Sequence, residues 1–538
     1  LLWKSPVEMQ MMNSHLINKL FLIITVISAL LLTTGCDLFI KTNKGQVDQK
    51  WYMGLTYEDD NGNDTDYTIE TDGTIAAVAL EDGYGDEFGI IKGEEAYLNI
   101  NTIIKNIDKR FYVDATNNLV MFTDATKTYK TKIGGKTINE TENTDYVISF
   151  MDGKNCYVNV KFVKKYVDFD YKVVKAEGKS PARIVLKYTS GEKNQMTVKS
   201  NIEMRTKADY QNLIVTTLKK NTKVTVLEES GDWTKVGTDD GFMGYVPAKK
   251  LKDKETKKTE FKSDADTYTH VLMDKKISLG WNAITNLTAN GNLETIIEHT
   301  KGLNVISPTW YSLSDNKGNL RSYASATYVE KAHSKGLKVW ALVNDFGTQD
   351  KASKEYTKKV LTDTTKRENL VDNIMTNIKD YNLDGINIDF EFINKDIINS
   401  YLQFLRELSI ECRKAGKVLS IDNYVPSSGS EYYDIAHQSL VADYIIIMSY
   451  DEHYAGSKEA GSVSSMTFTE KAVSDAIALT GDASRVINGM PFYTRQLLQL
   501  MAKRAKVFMW KMQLMAITTF QVRQLQWIKL KNFTLMQK

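Results

Sequence analysis

The eight residues from Asp384 to Glu391, DGINIDFE, constrain the fold of this chain more than any other segment. Apolar and polar residues alternate, so on a β-strand Asn387, Asp389 and Glu391 share one face while apolar side chains occupy the other. A rise of ~3.3 Å per residue spaces the two carboxyl groups about 7 Å apart. Burying them is costly, but crowding raises the pKa of one, and a carboxyl held neutral at about pH 7 can act as a general acid. The run predicts a strand that carries chemistry; a half-buried edge strand is the plainer alternative.

Helical patterns on both sides of this run favour the first interpretation. Apolar residues recur at helical spacing in residues 368–381 and again in residues 397–408. A helix–strand–helix order indicates a parallel strand that is buried on both faces except at its end.

Seven strand candidates recur at intervals that suit βα units. They lie at 276–284, 303–313, 338–346, 384–392, 417–425, 442–450 and 485–493. Polar or aromatic residues gather at their C-terminal ends: Trp281, Trp310, Asn344, Asp345, Asn423, Tyr450, Asp451, Tyr493 and Arg495. Such ends form the active face of a parallel barrel, so the pattern favours an α/β fold of the (β/α)8 TIM-barrel type. A doubly wound open sheet is the alternative, but no Gly-rich phosphate loop follows the first strand.

The run resembles the D-x-x-D-x-D-x-E motif of glycoside hydrolase family 18, with Asn387 in place of the second acid. Together with YDEHY at 450–454 and GMPFYTR at 489–495, it is similar to the bacterial cell-wall and spore-cortex N-acetylglucosaminidase branch. The resemblance spans residues 268–495. It implies hydrolysis of β-1,4 bonds in a glycan that contains N-acetylglucosamine, most of all peptidoglycan. The substrate's own acetamido group would be the nucleophile in a retaining mechanism. Chitin as substrate and a non-catalytic, lectin-like barrel are the alternatives.

The resemblance also implies a role for each motif residue. Glu391 is expected to be the general acid and then the base. Asp389 orients the acetamido group and stabilises the oxazolinium-like intermediate, and Tyr450 hydrogen-bonds the acetamido oxygen. Asp384 is expected to support the strand end. Asn387 replaces an acid that would share a proton with Asp389, so Asp389 and Glu391 should be less strongly coupled.

Further candidates for substrate binding lie at the same face. Trp281, Trp310 and Tyr493 are expected to stack on sugar rings, although each is as readily explained by packing. Asp451 lies beside Tyr450. Arg495 could meet a carboxylate such as the lactyl group of muramic acid. No metal-ligand spacing appears, so neither a metal nor a cofactor is predicted.

The N-terminal residues 1–36 read as a signal peptide. The apolar run from Leu20 to Leu32 is short for a membrane-spanning helix and ends at Gly35 and Cys36, which resemble a lipobox. The pattern predicts cleavage before Cys36, lipid attachment to its sulfur, and a protein anchored to the membrane at the cell surface. An uncleaved anchor and ordinary secretion are the alternatives, and all three place the protein outside the cytoplasm.

Two smaller modules are predicted before the barrel. Residues 37–192 contain a repeat, seen at 97–108 and 157–168, and resemble the α+β stalk domain named after the N-terminal region of copper amine oxidases; no copper is implied. Residues 193–252 resemble a bacterial SH3 domain, a small all-β barrel. Residues 253–267 are charged, lack apolar periodicity and read as a linker. The net charge of +2 over 538 residues and the lack of a basic cluster argue against nucleic acid, and no protein partner is evident.

The tail, residues 496–538, differs from the rest of the chain. It contains no Asp, Glu, Gly or Pro but five Met and eight Lys or Arg, and without it the net charge is −6. We predict that this tail is out of frame, that the eighth barrel strand is missing, and that the barrel is open with two exposed edges. An amphipathic helix at a membrane is the alternative.

Overall fold

The computed structural model describes residues 42–262, 268–347 and 351–493, together with the backbone of 535–537. These residues form two compact units. The first contains residues up to 102 and from 159 to 262, and the second contains residues 103–158 and those from 268 onward. The predicted signal segment with Cys36, and almost all of the tail, lie outside the described residues. None of the helices that are described combines the length and apolar content needed to cross a membrane.

The first unit begins with a mixed sheet. Its strands are Thr74–Ala79, Gly89–Lys92, Glu95–Asn99, Asp170–Val174 and Ala182–Lys187, with a separate pair at Thr56–Glu58 and Asp64–Asp66. Its helices are Gln49–Tyr52, Ile100–Thr102 and Val160–Tyr166. The helix at Val160 begins because the Asn159 side chain accepts a hydrogen bond from the Lys161 N–H.

A second, antiparallel sheet completes this unit. Its seven strands are Gly191–Val198, Ile202–Arg205, Ile214–Leu218, Lys223–Ser230, Trp233–Gly237, Met243–Pro247 and Leu251–Thr259. The last strand pairs along the first, so the prediction of a linker from residue 253 was wrong as far as Thr259. An edge strand is held by backbone hydrogen bonds and needs no apolar face. For this reason the charged sequence of Leu251–Thr259 did not predict a strand.

The second unit contains a ring of eight strands, seven of them parallel. These seven are β1 Leu279–Asn282, β2 Val305–Pro308, β3 Lys338–Asn344, β4 Gly385–Asp389, β5 Val418–Tyr424, β6 Tyr444–Met448 and β7 Val486–Met490. They match the seven strands expected from the sequence, in order. A short hairpin, Tyr311–Leu313 with Leu320–Ser322, follows β2 and pairs with β3. The second unit therefore has a TIM-barrel-like fold.

An eighth strand, β8 Leu535–Gln537, closes the ring by pairing antiparallel with both β7 and β1. Among the described residues the sheet is therefore not open here, but the segment that closes it is antiparallel, and the absence of a parallel eighth strand stays a prediction. Two sheet edges that face each other present unpaired N–H and C=O groups, and any extended segment can satisfy them regardless of its side chains. Backbone hydrogen bonding thus closes the sheet where the side-chain pattern predicted nothing.

Seven helices surround the parallel strands. They are α1 Leu293–Glu298, α2 Ala326–Ser334, α3 Lys351–Leu361, α4 Thr364–Asp380, α5 Ile398–Lys414, α6 Ile435–Val441 and α7 Met466–Thr480. On β4, Ile386 and Ile388 belong to the same buried cluster as Ile374 of α4 and Leu405 of α5. Every residue of β4 is buried. Its apolar face thus packs on helices while its polar face enters the barrel.

The lower interior of the barrel is apolar. Trp340 of β3 stacks on Tyr444 of β6 with ring centroids 5.4 Å apart. Gly385 makes room for this pair, because a Cβ there would come within 2.9 Å of the Trp340 ring and 2.6 Å of the Val418 carbonyl oxygen. The polar side chains of β4 therefore lie above an apolar floor, toward the C-terminal ends of the strands.

Residues 103–158 add an antiparallel meander to the flank of the barrel. Its strands are Phe111–Asp114, Leu119–Thr123, Thr128–Lys132, Thr137–Ile138 and Glu142–Asn143, and the hairpin Ser149–Asp152 with Asn155–Asn159 follows. Asp114 accepts hydrogen bonds of 2.6 Å from both the N–H and the hydroxyl of Thr364, the first residue of α4. Gln403 of α5 donates to the Thr123 hydroxyl at 2.8 Å. The predicted stalk segment 37–192 is thus divided between the two units, and its extent as a domain stays a prediction.

Arg367 anchors the contact between α4, α5 and the meander. Its guanidinium forms two 3.0 Å hydrogen bonds with the Glu407 carboxylate and donates to the Leu361 carbonyl at 2.8 Å. The same group lies 4.9 Å from the centroid of the Tyr112 ring. The Arg367 side chain is fully buried and that of Glu407 is 10% exposed. Removal of the arginine would leave a carboxylate buried without its partner.

We therefore expect Arg367→Met to lower the free energy of unfolding by about 3–5 kcal/mol, the usual cost of breaking a buried ion pair from one side. Urea denaturation of the full chain measures it. Lys359→Met is the matched control, because Lys359 pairs with Glu355 where both side chains are more than half exposed, and its loss should cost less than about 1 kcal/mol. Equal destabilisation by the two variants would contradict the expectation.

Candidate active site

Four carboxyl groups meet at the C-terminal mouth of the barrel. Asp345 follows β3 directly, Asp389 ends β4, Glu391 comes two residues later, and Asp422 lies within β5. Asn344 pairs with Asp389 in the sheet, and Ile388 pairs with Ile421. Asp389 and Asp422 are therefore cross-strand neighbours with side chains on the same inner face. None of the four carboxyls forms a salt bridge with a described residue.

Asn387 lies fully buried beneath these carboxyls and connects three strands. Its Oδ1 accepts a 2.9 Å hydrogen bond from the indole N–H of Trp281 and a 3.3 Å bond from the Ser307 hydroxyl. Its Nδ2 donates to Asp422 Oδ1 at 2.9 Å. Both the oxygen and the nitrogen of the Asn387 amide thus form hydrogen bonds within the barrel.

Glu391 lies at the rim, with one oxygen fixed. Tyr424 donates from its hydroxyl to Glu391 Oε2 at 2.8 Å, and the Tyr433 hydroxyl donates to the main-chain carbonyl of Glu391 at 3.1 Å. Burial raises the pKa of Glu391, the bond from Tyr424 lowers it, and the nearby Asp451 raises it again, so that the net shift is upward. The carboxyl therefore retains its proton to a higher pH than an exposed glutamic acid.

Asp345 holds the turn that presents Glu391. Its two oxygens accept hydrogen bonds from the backbone N–H of Glu391 at 2.9 Å and of Phe392 at 3.0 Å, and the Thr357 hydroxyl adds a third at 3.0 Å. Burial raises the pKa of Asp345 to about 6 in spite of these bonds. Asp345 thus fixes the main chain at Glu391 and Phe392 with both of its oxygens.

Asp389 and Asp422 are the most strongly perturbed acids of the site. Burial, and next the charge of Asp422, raise the pKa of Asp389 well above its usual value. Burial likewise raises the pKa of Asp422 well above its usual value, against the opposing effect of the bond from Asn387. Neither Asp389 Oδ1 nor Asp422 Oδ2 has a hydrogen-bond partner among the described residues. These oxygens are therefore open to a ligand or to each other.

An aromatic wall faces the carboxyls, formed by Trp281 of β1 with Tyr450 after β6 and Tyr493 after β7. The Tyr450 ring lies 6.4 Å from Trp281 and 6.3 Å from Tyr493, both edge to face. The Tyr493 hydroxyl donates to Asp451 Oδ1 at 2.9 Å, and the Tyr493 side chain is 40% exposed. Trp281 is 7% exposed, so it forms the base of this wall while Tyr493 forms its rim.

Two of the predicted site residues lie elsewhere. Asp384 precedes β4 at the opposite end of the barrel, where it accepts hydrogen bonds from Lys338, His333 and the Val339 N–H. Trp310 is 1% exposed, donates to Asn290 Oδ1 at 2.8 Å and belongs to the cluster between strands and helices. A strand of five residues carries its first and last side chains to different ends of a barrel, and Trp310 lies beyond the end of β2, where the chain turns outward.

Arg495 lies outside the described residues. Asp422, Tyr424 and Tyr433 were missed by the sequence analysis. In β5, Ser420 and Asp422 alternate with apolar residues as the polar residues of β4 do, and Tyr424 follows at the same spacing. This alternation is the sequence signal that could have indicated Asp422 and Tyr424. Tyr433 lies in a short 3-10 helix, Glu431–Tyr433, that no periodicity indicates.

Among the described residues no group of His, Cys, Asp and Glu is arranged to hold a metal ion.

This fold and this row of carboxyls agree with comparisons against protein families. Residues 289–527 match the model of Glycosyl hydrolases family 18, and residues 200–252 match that of the Bacterial SH3 domain. Each match covers less than half of the chain, and together they support a glycosidase. The first match includes most of the segment predicted to be out of frame; that origin stays a prediction.

Individual relatives agree with this class. YdhD of Bacillus subtilis, named as a sporulation-specific glycosylase, is 33% identical over 147 residues, which are 26% of this chain and 34% of YdhD. The uncharacterized glycosylase YvbX of Bacillus subtilis is 26% identical over 205 residues, 36% of this chain and 57% of YvbX. A crystal structure of YdhD superposes with a TM-score of 0.33 at 28% identity, covering 35% of this chain and 62% of that one. The chain thus spans about a third of YdhD and less than three fifths of YvbX.

Asp384 offers a test of its structural position. Burial acts to raise its pKa, but the bonds from Lys338, Val339 and His333 outweigh burial, so its pKa in the folded protein is lowered. A lowered pKa contributes stability above the pKa of the unfolded chain, and this stability is lost as the pH falls through the folded value. We expect Asp384→Asn to cost about 1–3 kcal/mol at neutral pH, with the difference shrinking in acid. Thermal denaturation against pH measures it, and Asp372→Asn, a change at an exposed helix position, should alter the free energy of unfolding by less than about 0.5 kcal/mol.

Proposed function

We propose that the barrel hydrolyses β-1,4 glycosidic bonds beside N-acetylglucosamine, with the substrate's acetamido group as nucleophile. The observation that carries this proposal is the pairing of Glu391, a rim carboxyl with a raised pKa, with Asp389, a buried carboxyl whose Oδ1 is open. The clustered acids come from β3, β4 and β5, one side of the barrel. A retaining enzyme with a carboxylate nucleophile places its two carboxyls on opposite faces of the sugar, about 5–5.5 Å apart. An arrangement on one side is better suited to substrate assistance.

Each residue then has a defined part. Glu391 gives its proton to the leaving oxygen and afterwards takes one from the attacking water. Asp389 accepts the acetamido N–H and faces the positive charge of the oxazolinium ring. Tyr450 offers its hydroxyl to the acetamido oxygen, and Trp281 with Tyr493 presents aromatic surface to the sugar.

Peptidoglycan is the substrate we favour over chitin. The SH3 domain and the sporulation-specific relative support this choice. A lipid anchor at Cys36, with the enzyme on the outer surface of the membrane, would hold the barrel near that polymer. Both the anchor and the location belong to the proposal.

The decisive experiment compares the full chain with Glu391→Gln on cortex muropeptides and on chitin oligomers. We expect the substitution to lower kcat by about 10²–10⁴-fold, the usual contribution of a general acid, with unchanged circular dichroism. Glu431→Gln, an exposed glutamate near the same loop, is the control and should keep full activity. Undiminished cleavage by Glu391→Gln would overturn the mechanism. Binding without cleavage by the unaltered chain would favour the lectin-like alternative, and cleavage of chitin alone would favour a chitinase.

The Tyr424–Glu391 bond makes a separate prediction about pH. This hydrogen bond stabilises the Glu391 carboxylate, so Tyr424→Phe should raise the pKa of Glu391 further. Because the general acid must be protonated, the alkaline limb of the kcat/KM profile should move to higher pH. Tyr432→Phe leaves the bond intact and should leave the limb in place. A limb that moves to lower pH in Tyr424→Phe would contradict this role.

A further inference from the structure

Asp389 and Asp422 occupy adjacent positions on neighbouring parallel strands, both facing the barrel interior. The register that pairs Asn387 with Ser420 and Ile388 with Ile421 brings the two aspartates opposite each other at the next step. Asp422 is 2% exposed and Asp389 is 9% exposed. Neighbouring strands lie about 4.8 Å apart, so the two carboxyls are within reach of each other.

The orientation of Asn387 is dictated from below. An indole N–H can only donate, so the oxygen of the Asn387 amide must face Trp281. Its NH₂ group therefore faces Asp422 and can only donate to it. An acid at position 387 would turn a carboxylate oxygen toward Asp422 instead. Asparagine at 387 and aspartate at 422 thus form a complementary pair.

The groups that face the two aspartates provide no positive charge. Asp345 at the end of β3, Glu391 beyond β4 and Tyr424 on β5 surround them, together with Tyr450 after β6 and Tyr401 from α5. No described cation forms a salt bridge with either aspartate. Two adjacent buried carboxyls without a counter-ion cannot both be ionised at moderate cost, and such pairs retain one proton between them.

We infer that Asp422 is a positioning residue that shares one proton with Asp389, and that it supplies from β5 the second acid that Asn387 lacks on β4. Asp389 Oδ1 and Asp422 Oδ2, the two oxygens without partners, are the ends of this shared bond. This inference rests on the proposed function for its catalytic meaning. The shared proton itself is a property of the free protein.

The proton moves within the pair during the reaction. When the acetamido N–H of the substrate donates to Asp389, the shared proton passes wholly to Asp422. Asp389 then faces the oxazolinium cation as a carboxylate, and the proton returns to its shared position when the product leaves. The pair carries one negative charge throughout, so no proton is exchanged with solvent.

Titration of the substrate-free full chain tests the inference. In protein carrying ¹³C-labelled aspartate carboxyls, the pair should titrate in two macroscopic steps separated by more than about one pH unit. Asp422→Asn should replace them with a single step for Asp389 at an intermediate pH. Asp389→Asn should likewise leave Asp422 with a single step, which keeps the test open if one variant does not fold. Ser420→Ala, an inner residue of the same strand, should keep both steps.

The swapped variant Asn387→Asp/Asp422→Asn separates a shared proton from simple packing. The new amide at 422 can donate to the new acid at 387, whose other oxygen still accepts from Trp281, so the polar layer stays satisfied. Two titration steps should return, and the acid limb of kcat/KM, displaced to higher pH in Asp422→Asn, should return toward that of the unaltered chain. A single Asp389 step that is the same in the unaltered chain and in Asp422→Asn would overturn the inference.

The two ideas fail in different ways. If the unaltered chain cleaves no glycan but shows two steps that Asp422→Asn removes, the proposed function fails and the shared proton stands. If it cleaves glycan in the Glu391-dependent manner but the pair titrates in one step, the proposed function stands and the inference fails.

Discussion

The indole N–H of Trp281 can donate a hydrogen bond but cannot accept one, and the order of the polar interior follows from this restriction. It fixes the Asn387 amide, which directs an N–H toward Asp422. Asp422 is then a carboxyl with one oxygen engaged and one open, next to Asp389. A single directional contact at the base of the site thus determines which oxygens are left for chemistry at its mouth.

The site also depends on the separation of two layers within the barrel. Below, Trp340 and Tyr444 stack and exclude water, with Gly385 providing the space. Above, carboxyls from adjacent strands are crowded into the same low-dielectric interior. Because the floor beneath them is apolar, their charges are poorly solvated, and burial is the largest cause of the raised pKa of Asp389, Glu391 and Asp422.

The sequence predicted the parallel strands well because each is a short alternating or apolar run between helices. Motif spacing predicted that Asp389, Glu391 and Tyr450 lie at the C-terminal mouth, where the structure has them, while their catalytic roles stay predictions. The sequence did not identify Asp422: the alternation in β5 is visible in the sequence, but the contact with Asn387 depends on the register between β4 and β5, which a single sequence does not contain. Trp310 was predicted to lie at the barrel mouth because it follows a strand. Its indole instead packs outward against Tyr328.

The sequence did not predict β8 or the charged edge strand Leu251–Thr259. Both are held by main-chain hydrogen bonds, which side-chain patterns do not indicate. Asp384 was expected to support the strand end, and it does accept hydrogen bonds from Lys338 and the Val339 N–H before β4 begins. The motif is continuous in sequence, but the strand carries its two ends to opposite ends of the barrel.

The meander of residues 103–158 belongs to the same compact unit as the barrel, although it lies far before the barrel in the sequence. Its contacts to α4 and α5 are polar and directional, such as those of Asp114 with Thr364 and of Thr123 with Gln403. Joining this barrel to an unrelated N-terminal half would leave these buried polar groups without their hydrogen-bond partners. The compact unit that contains the candidate active site therefore begins at residue 103, before the SH3 domain, and cutting the chain at the SH3 boundary would remove part of that unit.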